Sequence, residues 1–279
     1  MNMLRLLNIE FHKLKHNRAS KILSLIYFGL LICIALTAAI KFDVGPIKFH
    51  LAEMGIFNFP YIWHFNTYVA AILKFFLLLV IVSMMANEYS YKTLKQNLID
   101  GLSKKEFILS KFYTVVAFAL ASTFFVFIIS LILGLIYSDY NEFAIITSDL
   151  TYILAFFIKL IAYFSFGLFL GILVKRSAFA VGAMLVWYIT EWVIFGILGW
   201  KFVSWETAQT IKNLLPLEAM SNLIKEPGSR LGAVRSIANQ IGETFTKTYA
   251  VEFSTITIVS VWTFIFIYLS LTLLKKRDL

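Results

Sequence analysis

This chain of 279 residues predicts an all-α, polytopic membrane protein, and three observations predict it. Hydrophobic residues make up 60% of the chain and charged residues only 15%, where soluble proteins carry about 25%. Six apolar runs, at about 21–40, 65–86, 112–137, 150–174, 179–200 and 251–274, come close to the roughly 20 residues that cross a bilayer as a helix. Lysine and arginine alternate in density between successive connections, as the positive-inside rule requires.

Composition also excludes several classes. The net charge of +9 points formally toward nucleic acid, but the bases flank apolar runs instead of gathering on a solvated face or in a binding module. Nucleic acid is therefore excluded as a partner. Cys33, the single cysteine, lies inside an apolar run and offers neither an intramolecular disulfide nor a cysteine metal cluster.

The first 20 residues read as an amphipathic helix at the inner interface, with Leu4, Leu7, Phe11 and Leu14 at three- and four-residue steps. Polar residues occupy the other faces. His12 and His16 stand four apart without a nearby third ligand, so they read as interfacial histidines and not as a metal pair. The run that follows ends in Thr37-Ala38-Ala39, which resembles a signal cleavage site, but a signal core of about 7 to 15 residues is shorter than this run.

Orientation follows from the bases. Arg5, Lys13, Lys15, Arg18, Lys21, Lys92, Lys95, Lys104, Lys105, Lys111, Lys175, Arg176, Lys275, Lys276 and Arg277 give 15 on one side, against 8 on the other. The richer side faces the cytoplasm and carries both termini.

Segment 87–111, between the second and third runs, is the most informative part of the chain. A short helix continues from Glu88 to Ile99, with Tyr91, Leu94 and Leu98 on one stripe. Asp100-Gly101 stops it, and Ser103 with Glu106 forms an S-x-x-E capping box that starts the next helix near Lys104. Two helices meeting at a bend suit a docking element; the alternative is a solvated loop that only satisfies the charge rule.

Inside the runs lie Lys74, Lys159 and Glu191, each about 9 residues from the outer end of its span, or some 13 Å deep at about 1.5 Å per residue. A charge at that depth costs about 2.5 to 3.5 kcal/mol on insertion scales, so each needs a partner or a wet cavity. The expectation is a Lys74-Glu191-Lys159 network bracing the outer half of the bundle. Separate snorkelling is the alternative, over a distance that exceeds a lysine's reach. Gly167 and Gly171 form a G-x-x-x-G step that permits close helix approach. The Phe124, Phe125, Phe127 stripe reads as lipid-facing or core filler, and Trp200 fits an outer aromatic belt.

The external segment 201–250 contains three helical patterns. Ser204 caps one through about Leu214; Pro216 breaks it; a turn or two spans 217–225; Pro227-Gly228 breaks again; and 231–245 reads as a third amphipathic piece. A lid over an exit, a segment re-entering the outer membrane face and a passive connector are the readings.

An interfacial first helix, six spans, a helical bend after the second span and a large loop before the sixth together resemble an ABC type-2 transporter permease. The most specific stretch is Glu88 through Thr93, then Gly101-Leu102-Ser103-Lys104 and Lys111. The resemblance implies one transmembrane domain over 1–279, an interfacial helix over 1–20 and a coupling segment over 87–111. Glu88, Tyr91, Thr93, Leu94, Leu98, Gly101, Leu102, Ser103 and Lys104 would face a separate ATPase or shape the bend, with Lys175 and Arg176 as a second contact. It further implies a second permease copy, identical or related, an exporter's direction and the cytoplasmic membrane of a bacterium. No cofactor is expected on this chain, which lacks the G-x-x-x-x-G-K-[ST] phosphate loop, so it is not expected to be an enzyme; ATP and Mg would bind the partner ATPase. A secondary transporter or an intramembrane enzyme is the competing class. No internal repeat supports the first, and no serine-histidine or paired-aspartate arrangement supports the second.

Overall fold

A computed structural model describes residues 3–40, 42–44, 47–49, 55–230 and 249–277. The chain begins with α1 (Met3–His16), breaks at Asn17 and continues as α2 (Arg18–Ala39). The Asn17 side chain accepts from the Ser20 backbone N–H and so fixes where α2 begins. A short antiparallel hairpin, β1 (Phe42–Val44) and β2 (Ile47–Phe49), pairs Phe42 with Phe49 and Val44 with Ile47.

Three elements then form the bend. They are α3 (Tyr61–Ser90), α4 (Thr93–Ile99) and α5 (Lys104–Tyr137). At about 1.5 Å per residue the 34-residue α5 is about 51 Å long, well beyond a hydrocarbon core of about 30 Å, so its first turns stand outside the membrane. The rest is α6 (Phe143–Thr147), α7 (Thr151–Val174), α8 (Ser177–Ile197) with a π-helical turn Leu198–Phe202, α9 (Trp205–Leu214), α10 (Pro216–Asn222), a 3₁₀ turn Gly228–Arg230 and α11 (Phe253–Lys275). Among the described residues six helical segments are long and apolar enough to span a bilayer, matching the six runs read from sequence. The all-α polytopic class holds, with the small hairpin as its one addition.

The core forms around α7, which packs against α3, α5, α8 and α11. Glycine makes that position possible. A Cβ at Gly167 would overlap the Leu78 side chain on α3, and one at Gly171 would sit 3.1 Å from the Met85 Cβ, so both glycines hold α7 against α3. Phe166 and Phe266 meet at 4.6 Å between ring centroids, locking α7 to α11. Polar bonds add specificity inside the bundle: Tyr27 and Ser122 bond across α2 and α5, and Asn66 donates to Ser130 at 2.9 Å across α3 and α5. Of the phenylalanine stripe on α5, Phe124 is exposed, while Phe125 packs on Phe28 and Phe127 stacks on Trp63.

The segment between α8 and α11 enters the bundle from the end opposite the termini. Ser204 caps α9 by accepting from the Thr207 N–H, and Pro216 occupies the first turn of α10, where its missing N–H costs nothing. Ala219, Met220, Leu223 and Ile224 are buried, and α10 packs against α7, α8 and α11. Trp262 of α11 donates to the Leu214 carbonyl at 2.8 Å, closing the end of α9. α10 is thus wedged between spans, whereas α9 is largely exposed and packs on α8 and α10. The third amphipathic piece, 231–245, lies outside the described residues.

Replacing Gly167 by Leu is expected to cost about 1–3 kcal/mol by overpacking the α3–α7 contact. Gly182→Ala, where a Cβ meets nothing within 4 Å, is expected to leave stability unchanged. Thermal unfolding of both variants in one detergent checks the contrast.

Candidate functional site

The polar machinery is concentrated at the terminus-bearing end, where one ammonium is enclosed by two carboxylates. Lys111, about two turns into α5, has a side-chain exposure of 0% and contacts Glu10 at 2.6 Å and Glu88 at 2.5 Å. Lys13 closes the ring at 2.8 Å from Glu88 and 3.7 Å from Glu10. Two positive and two negative groups therefore cancel in a site that α1, α3 and α5 build together. The remaining acceptor capacity is filled as well: Thr93 donates to Glu88 at 2.6 Å, Asn97 donates to it at 3.4 Å, and Ser110 donates to Glu10 at 3.3 Å. Such satisfaction is what makes a buried ionic group tolerable.

The cluster revises the reading of α1. Its protein-facing stripe is Leu6, Glu10 and Leu14, all buried, while Leu4 and Phe11 point outward. Hydrophobic periodicity alone selected a stripe of which only Leu14 is buried and Leu7 half-buried. The missed signal is Glu10, the only acid among the first 20 residues, set where a buried lysine on another helix needs a counter-ion.

The bend is also more segmented than a continued helix. Ser90 ends α3, and Lys92 takes a left-handed conformation at φ 56°, which separates α4 from α3 and shifts its phase. Leu94 and Leu98 consequently turn inward against the core, whereas Tyr91 is 73% exposed. Ile99, absent from the expected set, is 75% exposed at the tip of α4, beside exposed Lys95 and Gln96. Gly101 holds φ 95° as the stop requires, and the Ser103–Glu106 capping box forms in both directions. Glu88 and Thr93 thus brace the bend from beneath and take no part in its exposed face.

A second set of bonds joins the bend to the chain's far end. Lys104 donates to the carbonyls of Lys275 and Arg277 at 3.2 and 2.9 Å, satisfying the last turn of α11. Arg277 donates in turn to the Ile172 carbonyl, to the Leu173 carbonyl at 2.9 Å and to the Tyr89 hydroxyl at 3.4 Å. Lys175, left-handed at φ 63°, lies 5.6 Å from the Tyr89 ring, and Arg176 lies 6.0 Å from the Phe179 ring. The structure therefore brings Lys175 beside the bend; Leu102 is half-buried and Ser103 exposed on the same surface. Lys104 is a helix-capping group rather than a free surface charge.

The expected intramembrane network does not form. Glu191 accepts from the Trp187 indole N–H and from the backbone N–H groups of Leu217 and Glu218, each at 3.0 Å, and contacts neither lysine. The start of α10 supplies the two N–H donors that sequence reading assigned to lysines. Lys74 donates to the Ala71 carbonyl at 2.7 Å, and Lys159 donates to the Ser221 carbonyl at 3.3 Å. The two lysines do share a cavity. His12 and His16 meet tilted at 40° with ring centroids 4.3 Å apart, and no group of three metal-ligating side chains occurs among the described residues.

Six apolar spans, with a charge cluster beneath an exposed helical bend, define a multi-pass membrane protein. The model of the family described as protein of unknown function (DUF2705) matches residues 29–279, and the chain belongs to that family. No curated protein matches it.

Lys111→Met, which leaves two facing carboxylates, is expected to cost about 3–5 kcal/mol, whereas Lys13→Met, at a site one-third exposed, is expected to cost about 1–2 kcal/mol. Combining Glu10→Gln, Glu88→Gln, Lys13→Met and Lys111→Met should recover most of that loss, because removing a whole buried ionic unit is often near neutral. Denaturation midpoints in detergent measure all three; equal losses for the two single changes would contradict the geometry.

Proposed function

We propose that this chain is the membrane-spanning permease subunit of an ABC type-2 transporter, an exporter whose ATP-hydrolysing subunit is a separate protein. The observation that carries the reading is the contrast between the two sides of α4. Its underside is fixed through Thr93 and Asn97 to the buried Glu88, while Lys95 and Ile99, with Tyr91 just before the helix, face outward. An exposed isoleucine at the tip of a basic helix is unfavourable in water and suits a groove on a partner. Rigid anchoring beneath such a face lets a push on α4 move α1, α3 and α5 together.

The energy source in this reading lies outside the chain, because the sequence has no phosphate loop. Two permease copies would pair in the membrane, with two ATPase subunits on the cytoplasmic side binding ATP and Mg. The turn at Lys175 and Arg176 supplies a smaller second contact, since it lies beside Tyr89 at the base of the bend. Closure of the ATPase pair would tilt the bend and shift the spans between inward- and outward-open arrangements.

Co-purification of the tagged chain, co-expressed with any phosphate-loop ATPase encoded beside it, tests this, and the lack of such a gene contradicts the proposal. Wild type should retain the ATPase. Ile99→Asp with Lys95→Glu should weaken retention at least tenfold, about 1.4 kcal/mol, with no change in thermal stability. Retention by the variant, or no ATPase activity with wild type, contradicts the proposal.

A further inference from the structure

Two lysines face one cavity deep in the bundle. The space has a volume of about 230 Å³ and is lined by Lys74 of α3, Lys159 and Tyr163 of α7, Tyr188 of α8 and Met220 of α10. At about 30 Å³ per water that is room for about seven waters, enough for a small acidic head group with part of its stem.

The lysines are under-satisfied in a specific way. Lys159 is 5% exposed, and its ammonium donates to one carbonyl, Ser221, at 3.3 Å. Lys74 donates to Ala71 and lies 4.5 Å from the centre of the Tyr163 ring. An ammonium carries three donors, so both have capacity left. Neither has a carboxylate within ion-pair distance among the described residues, and the acids on the neighbouring elements are occupied, Glu191 by Trp187 and the start of α10 and Glu218 by Lys212 at 3.3 Å. Two basic groups facing one cavity without a counter-ion favour an anion that can enter and hold both protonated.

The cavity wall also shows the route of entry. Leu185, 60% exposed, and Tyr188, 50% exposed, line the cavity and belong to the outward face of α8. That face continues as Ile189, Trp192 and Val193, all exposed and apolar in character. A ligand with an acidic head and a hydrocarbon tail fits both features: the head reaches Lys74 and Lys159, and the tail runs along α8.

We propose that Lys74 and Lys159 form a binding site for the phosphate or carboxylate head of an anionic amphiphile that enters from the membrane beside α8. The site belongs to this chain alone and stands whether or not an ATPase docks at α4.

The test uses the purified full chain in a neutral maltoside detergent, with dodecyl phosphate, dodecyltrimethylammonium and inorganic phosphate as probes. Binding is read by tryptophan fluorescence and by the shift in unfolding temperature. Dodecyl phosphate should bind at least tenfold more tightly than dodecyltrimethylammonium and raise the unfolding temperature. Inorganic phosphate should bind at least tenfold more weakly than dodecyl phosphate, since it lacks the tail. The Lys74→Met, Lys159→Met double variant should lose the dodecyl phosphate response while unfolding at or above the wild-type temperature without ligand. Equal binding of the anionic and cationic amphiphiles to wild type overturns the proposal regardless of how the variant folds. Inorganic phosphate binding as tightly as dodecyl phosphate overturns the amphiphile assignment, and an undiminished response in the double variant overturns the site.

Discussion

Lys111 is the group on which the rest of this structure depends. A fully buried ammonium has a large desolvation cost, and only a complete set of counter-ions and hydrogen bonds offsets it. No single element can supply that set. Glu88 comes from the end of the second span, Glu10 and Lys13 come from the first helix, and Lys111 itself lies in the third span's extension. Satisfying one charge therefore specifies where three distant segments of the chain must meet.

That requirement explains features that hydrophobicity leaves open. α1 is amphipathic enough to float on a membrane, yet Glu10 ties it to α5 with Leu6 and Leu14 packed on either side. The break at Lys92 brings Thr93 and Asn97 back over the Glu88 carboxylate, so the phase of α4 follows from the same cluster. Lys104 and Arg277 extend the fixed region to the end of α11 and to the last carbonyls of α7. The result is a surface on which Tyr91, just before α4, and Ile99, at its end, point away from the protein.

What could be read in the sequence was what depends on local rules. Six spans followed from run length, the stop at Gly101 from its tolerance of positive φ, and the start of α5 from the spacing of Ser103 and Glu106. The start of α9 followed from Ser204 and its end from the break at Pro216 in the same way. What could not be read was which charges meet, because that is set by packing between segments about 75 to 100 residues apart. Glu191 illustrates the difference: depth in the span marked it correctly as needing partners, but its partners are backbone N–H groups, which leave no trace in side-chain chemistry. Ile99 escaped because its stripe was counted from a continuous helix, and one left-handed residue at Lys92 changed the count.

The central claim is that α1, α4 and the start of α5 move as one unit because they share the Lys111 cluster. Hydrogen exchange of the full chain in detergent, compared between wild type and Lys111→Met, tests it most directly. The account predicts that amides of α1 and of residues 93–99 lose protection together, while the buried centre of α7 keeps its own. Loss confined to the turn around residue 111, with α1 and α4 unchanged, would contradict it.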